Sequence, residues 1–446
     1  MSKYKIVMLG GGSPFTLSMI KIFIENKEVL GGSEIWLMDI DQSRVPVLTK
    51  VSEILSKKNG ADMKFIWTTD PKKALIDADF VLPGYRIGGI KHMNMDIEIP
   101  TKYGICGDET TGPGGTFMAQ YTIPATIEYC RMIEELCPNA WVVSYVNPAN
   151  LVADAVRRLT KVKFISICDC FAGFSMNFLP KLLKKPPYDR RYCINEDIRP
   201  RAIGVNHLTW LVDLELNGQD GLPQIKRLID EYSGKTLHDR PLQLMVDLYN
   251  TFGYLNICPY HVRPYWDYDS FIKERSIKPF HEASVLGWSD TRWKFVQEMA
   301  EGKEFTHWPL DYCFEPHHAR HAVGILVSLA SDDGREWGGM NFPNRGSVSN
   351  LPYDAIIEGH CMVDSHGLTQ IALGELPKPF VALTLQVINW QELSVDAAIS
   401  GDKDILYQAL LSSPYTHDLK SAKLIMDELL QVHAEILPQY NGKKIL

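Results

Sequence analysis

Residues 165–173 read ISICDCFAG, placing a cysteine and then an aspartate at the end of an apolar run. A disulfide, a zinc knuckle, a redox pair, a buried thiol, or a metal ligand beside a proton donor would each leave such a trace. Nine cysteines, odd in number and scattered, are unlike a secreted disulfide framework. The C-x-C spacing of Cys168 and Cys170 lacks the two intervening residues of a zinc knuckle or a thioredoxin-type pair, and no second close pair follows. A thiol packed as a small hydrophobe and a thiolate metal ligand both stay open. Asp169 can donate a proton or cap the helix that follows. Further on, AIGVNHLTW (202–210) brings Asn206 and His207 together in an apolar stretch, where a neutral imidazole can ligate a metal or sit hydrogen-bonded in a core.

A second group lies near the amino end. In LGGGSPF, Gly10 and Gly12 give the G-x-G of a dinucleotide turn, in which missing side chains let backbone amides meet a pyrophosphate at the start of a helix. The third glycine of that pattern is absent, with Phe15 in its place. WLMDID then supplies Asp39, somewhat beyond the usual spacing of about 20 residues for the acid that accepts the ribose hydroxyls. The same carboxylate would repel a 2′-phosphate, so the pattern predicts NAD over NADP.

The elements that position these groups are legible as short apolar strands at 4–9, 34–38, 65–69, 79–84, 140–146 and 162–167, rich in β-branched and aromatic residues. Amphipathic stretches such as 15–26 and 122–136 lie between them, and this alternation predicts a Rossmann-like, doubly wound parallel sheet of class α/β. Such sheets place ligands at the carboxyl ends of their strands, where the motifs sit. A glycine-punctuated loop is expected over 83–115, and AIGVNHLTW is expected to be one more buried strand. Two domains are predicted, 1–190 for NAD and 191–446 as a mixed α+β domain for substrate and oligomerisation, with a hairpin edge at 213–218 and a long amphipathic helix at 421–437.

Composition excludes several classes. With 45% hydrophobic and 22% charged residues the chain is of ordinary globular character, and its net charge of −8 argues against nucleic acid or an anionic membrane as the main partner. No run of eighteen apolar residues and no signal-peptide layout is present, so a cytoplasmic location is expected.

In this order, G-x-G-S (10–13), DID (39–41), KYG-x-x-G-x-E-T-x-G-P-G-G (102–115), NPA (147–149), C-D (168–169) and G-x-NH-x-x-W (204–210) resemble glycoside hydrolase family 4. The likeness runs from residue 4 to about 210 and continues more loosely through Tyr260 and NRGSVSNLP (344–352). It implies a glycosidase that needs NAD and a divalent metal, an exception to the two-carboxylate scheme. The implied route is oxidation at carbon 3 of the sugar, metal-assisted proton removal at carbon 2, elimination of the aglycone, water addition and return of the hydride.

The resemblance assigns Gly10, Gly12, Ser13, Asp39 and Asn147 to NAD, with Asn147 also reaching the sugar. Cys168 and His207 become the metal ligands, for Mn2+ by resemblance, although a thiolate and an imidazole would also suit zinc, iron, cobalt or nickel. Asp169 matches the general acid of some α-acting members, and Cys170 is left a structural role. Tyr260 is the expected base, with Tyr254 and Tyr265 as rivals and the metal, His261 or Arg263 as the means of lowering its pKa. Arg86, Glu109, Asn206 and Arg263 complete the substrate side. His317 and His321, four apart in PHHARH, are expected to be solvated or to face substrate.

Arg86, Cys168–Asp169 and the short loop spacing resemble the branch acting on 6-phospho sugars. That branch usually has proline where Phe171 stands and arginine where Met93 stands, and phosphate recognition favours guanidinium. Unphosphorylated α-hexosides or α-uronides are therefore the expected substrates and a 6-phospho-α-glucoside the alternative. A malate- or lactate-like NAD dehydrogenase is the reading from another class. Family members suggest a homodimer or homotetramer.

Overall fold

A computed structural model of the chain describes residues 3–108, 110–184, 192–195, 197–277, 288–304 and 317–442. Thirteen strands are seen among them: β1 Lys5–Leu9, β2 Glu34–Met38, β3 Lys64–Thr68, β4 Phe80–Pro83, β5 Trp141–Ser144, β6 Lys163–Ile167, β7 Ile198–Val205, β8 Leu208–Leu216, β9 Gln219–Asp220, β10 Leu255–Asn256, β11 Arg335–Pro343, β12 Ile356–Asp364 and β13 Gly367–Gln370. β1 to β6 pair in parallel in the order 3-2-1-4-5-6, the doubly wound arrangement expected. Continuous burial of β4 and of β1 after Lys5 explains why these stretches are apolar and do not alternate.

The sheet does not stop at β6. β11 pairs with it antiparallel, then come β12, β7, β8 and β10, so the second half of the chain extends the first half's sheet. The expected division at 190 falls in residues 185–191, outside the described residues.

Three expectations change. The segment 83–115 is not one loop: a helix spans Gly89–Lys102, and another starts at Gly112 and runs to Leu136. Residues 202–210 are not one strand but the end of β7, a two-residue connection at Asn206–His207, and the start of β8. The carboxyl-terminal helix is Leu419–Val432 and ends before 437, with His433 at its cap and the His433 ring bonded to Asp96 Oδ1 at 2.7 Å. The hairpin edge at 213–218 is present, as β8 turning into β9.

Candidate active site

The carboxyl ends of β1, β2, β4, β5 and β6 open onto one cavity of about 1050 Å³. At one end Gly10 takes a left-handed φ of +94°, and a Cβ there would lie 2.8 Å from the Tyr85 amide nitrogen, so only glycine makes this turn. The Gly12 amide donates to Asp39 Oδ2 at 2.8 Å, and the Asp41 amide donates to Asp39 Oδ1 at 2.9 Å. Asp39 thereby ties the glycine turn to the end of β2. The Trp288 indole donates to the Gly12 carbonyl at 2.9 Å and also lines the cavity. A side-chain-free turn, an acid at its lip and room for an extended ligand fit a dinucleotide.

At the other end Cys168 leaves β6 and caps the short helix Asp169–Gly173, its sulfur accepting from the Cys170 amide at 3.5 Å. Its interaction as donor to the Cys170 sulfur, and then burial, push the Cys168 thiol well above its usual pKa. A cation there would strip that proton, because a coordinating thiol ionises outright.

His207 occupies the β7–β8 connection with φ +67°, a left-handed conformation uncommon for a side-chain-bearing residue. The Thr110 hydroxyl donates to Asp108 Oδ1 at 3.0 Å, so it accepts from His207 Nδ1 at 2.8 Å, which leaves Nε2 for a ligand. Burial, followed by the neighbouring His261, pushes His207 down to about 3, so the ring is neutral. His261 stacks on it at 3.7 Å and lies 3.3 Å from Asp108 Oδ2. Burial opposes ionisation of Asp108, but the hydrogen bond and charge of His261 and the Thr110 amide outweigh it and hold the carboxyl well below its usual range.

Donor atoms of Cys168, Cys170 and His207 lie within 4.8 Å of one another, as do those of Asp108, His207 and His261. Thiol and imidazole donors at one buried point fit a divalent transition metal. Beside it Asp169 Oδ2 meets His318 Nε2 at 2.7 Å and His317 Nε2 at 3.5 Å. Burial would raise Asp169, yet the charge of His318 and the two histidine hydrogen bonds hold it well below the usual carboxylate range.

Comparison with known proteins decides the family. Residues 5–184 match the family described as Family 4 glycosyl hydrolase, and residues 202–416 match its C-terminal domain. The chain belongs to family 4 of the glycosyl hydrolases. A probable 6-phospho-β-glucosidase of Bacillus subtilis is 29% identical over 98% of both chains, and a 6-phospho-α-glucosidase of Leptotrichia buccalis is 28% identical over 98% of this chain and 99% of its own. The solved 6-phospho-α-glucosidase from gut microorganisms, in complex with NAD and Mn2+, superposes with a TM-score of 0.85 at 25% identity, covering 98% of this chain and 99% of that one. This family 4 member is thus a glycosidase, and dependence on NAD and a divalent metal goes with its family. None of its described helices is long and apolar enough to cross a membrane.

The family 4 cavity gathers Gly10, Gly12, Ser13, Asp39, Arg86, Asn147, Cys168, Asp169 and His207 on its lining. Other expected residues lie elsewhere. Asn206 is 3% exposed and donates to Glu358 Oε2 at 2.8 Å, so it supports the His207 turn from behind. Arg263 is 1% exposed, pairing with Asp267 at 3.1 Å and Glu274 at 2.8 Å over the Phe271 ring, and does not reach the cavity. Its place at the start of a helix, four residues before Asp267, explains that local pairing. Tyr260 packs edge-on against His261 and Phe271, one layer behind the lining. Tyr254 packs on Phe380 and Tyr265 on Tyr415. Glu109 lies outside the described residues. His321 is neither solvated nor facing substrate: it is fully buried against Trp337, and burial pushes it down to about 4.

Sequence reasoning passed over Asp108, Thr110, Trp288 and His318 and gave His261 only a supporting part. DETT (108–111) was a usable signal, since an aspartate two residues before a threonine is an Asx-turn pattern. His318 stood in view in PHHARH but pairs with Asp169, far away in sequence.

Proposed function

We propose that this enzyme hydrolyses α-glucosides carrying a phosphate on carbon 6. The observation that carries the reading is that one cavity joins the Gly10–Asp39 dinucleotide turn to the Cys168–His207 pair and the Asp169–His318 pair. Bound NAD would supply hydride removal and return at carbon 3, and a divalent cation on Cys168 and His207 would supply Lewis-acid polarisation of the sugar oxygens.

The chain's own groups do the rest. Gly10 to Ser13 and Asp39 would hold the dinucleotide, and Asn147, on the same cavity wall, would offer its amide to the cofactor and the sugar. A proton shared between Asp169 Oδ2 and His318 Nε2 passes to the leaving oxygen. The base comes from the Tyr260–His261 pair: His261 lies on the wall, held by Asp108, and Tyr260 abuts it edge-on. Trp288 and Tyr145 help close the cavity against water.

Two sequence arguments against a phosphate lose their force in the folded chain. Met93 and Phe171 are both fully buried, so neither residue is a cavity-wall replacement for a phosphate-binding group. Arg86 lines the cavity and gives an anion its guanidinium, and the names of the two relatives support phosphate. A uronide is the second reading, because a carboxylate on carbon 6 would meet Arg86 equally well.

The test is release of p-nitrophenol from α- and β-linked glucosides, galactosides, glucuronides and 6-phosphoglucosides, with NAD, Mn2+ and reductant and with each omitted. Cleavage of the α-6-phosphoglucoside that stops without NAD or metal supports the reading. Cleavage of the glucuronide alone transfers it to uronides, and net NADH formation on a hydroxy acid without glycoside cleavage overturns it. Asp169→Asn should slow glycosides with poor leaving groups far more than activated aryl glycosides; equal losses contradict the acid role.

A further inference from the structure

Family resemblance assigns one thiolate and one imidazole to the cation, and Cys170 is left as a packing residue. The fold does not treat it so. Cys170 lies on the first turn of the helix Asp169–Gly173, directly after β6, with its sulfur near that of Cys168. Both sulfurs lie within 4.8 Å of the His207 ring nitrogen and of one another. Cys258, buried just after β10, interacts electrostatically with the Cys170 thiol. Its own backbone amide is fixed to Asn256 Oδ1 at 2.7 Å.

At metal–sulfur and metal–nitrogen bonds of about 2.3 and 2.0 Å, donor atoms of a tetrahedral site stand about 3.5–3.8 Å apart. Donors already within 4.8 Å reach that spacing by small side-chain movements. The competing trio of Asp108, His207 and His261 is less available, because Asp108 already accepts from the Thr110 amide and hydroxyl, the Thr111 amide and His261.

We propose that Cys170 joins Cys168 and His207 as a second thiolate ligand. This rests on the cation site of the proposed function and deepens it. Two thiolates and one imidazole make a softer centre than one of each, so the site favours Zn2+, Fe2+ or Co2+ over Mn2+ more strongly than a one-thiolate site would. The proton balance is explicit: each thiol releases one proton as its sulfur–metal bond forms, so loading a divalent cation releases two protons from these residues and leaves the three-ligand site with no net charge.

The experiment uses the full chain stripped with a chelator and titrated with Co2+, reading the thiolate-to-cobalt charge-transfer absorbance per bound cobalt. Cys170→Ser and Cys168→Ser should each lower it by about half, since each removes one of two thiolates, while Cys258→Ser retains it. In parallel, Zn2+ loading in weak buffer should release one proton fewer in either ligand variant than in the unaltered chain. X-ray absorption of the unaltered protein with Zn2+ bound should count two sulfur neighbours, a result that does not depend on any variant folding. One sulfur neighbour, with full charge-transfer intensity in Cys170→Ser, overturns the second ligand while leaving the Cys168 site intact. No sulfur neighbour and no charge transfer in the unaltered chain removes the cation site itself, and the proposed function with it.

Discussion

Replacing Glu358 by glutamine should stabilise the metal-stripped protein at alkaline pH and do nothing in acid. Glu358 is fully buried on β12, and its carboxyl receives the Asn206 amide at 2.8 Å and faces the Thr209 hydroxyl at 3.0 Å. Burial pushes its pKa up to about 7 from an ordinary 4.5, against the smaller opposing effect of those two hydrogen bonds. An acid whose pKa is raised by folding binds its proton more tightly in the folded state, so stability falls as pH rises between 4.5 and about 7 and is level above that. A shift of that size corresponds to about 3 kcal/mol. Glutamine keeps the pattern without the charge: its carbonyl accepts from Asn206 and its amide donates to Thr209, whose own proton goes to the Val205 carbonyl at 3.0 Å.

The difference in unfolding free energy between Glu358→Gln and the unaltered chain should therefore grow from near zero at pH 4.5 to about 3 kcal/mol at pH 8. Urea unfolding followed by tryptophan fluorescence, with chelator present, measures it. Differences that stay constant across this range, or a variant less stable at pH 8, would refute the reasoning. Added Zn2+ should then stabilise the unaltered chain more than the variant, because the charge that is costly without metal lies near a cation once one is bound.

Glu336 should behave with the opposite sign. It accepts from Arg201 at 2.9 and 3.0 Å, from Arg199 at 3.2 Å and from His360 at 3.2 Å. These outweigh burial and hold it well below its usual range, so its stabilisation is present above about pH 4.5 and is lost as pH falls. Glu336→Gln should cost about 2 kcal/mol at pH 7, discounted because both arginines are partly exposed, and melting curves should converge with the unaltered chain toward pH 3. Gly12→Ala should weaken NAD at least about tenfold in calorimetry, since its Cβ would sit 2.9 Å from Asp39 Oδ2, while the melting temperature without NAD shifts far less. Trp288→Ala should remove most of the tryptophan quenching that NAD produces, with glycoside cleavage slowed; unchanged quenching would detach the indole from the cofactor site.

The legible part of the sequence was the part governed by local rules. β2 falls on residues 34–38 as its run of β-branched and aromatic residues requires, and the Gly10–Gly12 turn is marked by Gly10, whose left-handed φ of +94° favours glycine. The extension through β11, β12 and β7 carries no local mark, since pairing between Asn341 and Ser166 depends on strands far apart in sequence. The helix Gly89–Lys102 was hidden by the glycines at its start and by Pro100 inside it. Asn206–His207 read as strand because a histidine in a left-handed turn lacks the Asn-Gly or Asp-Gly signature of a two-residue hairpin. Cys168, Asp169 and His207 were found by motif order, whereas Asp108, His261 and His318 act through partners that only the fold supplies.

The central claim is that the glycosidic bond breaks by elimination across carbons 1 and 2, with NAD recycled. Turnover in heavy water, with the released sugar analysed by NMR and absorbance followed for NADH, tests it most directly. Deuterium at carbon 2 of the product with no net NADH is the predicted result; product formed with only hydrogen at carbon 2 would contradict the account.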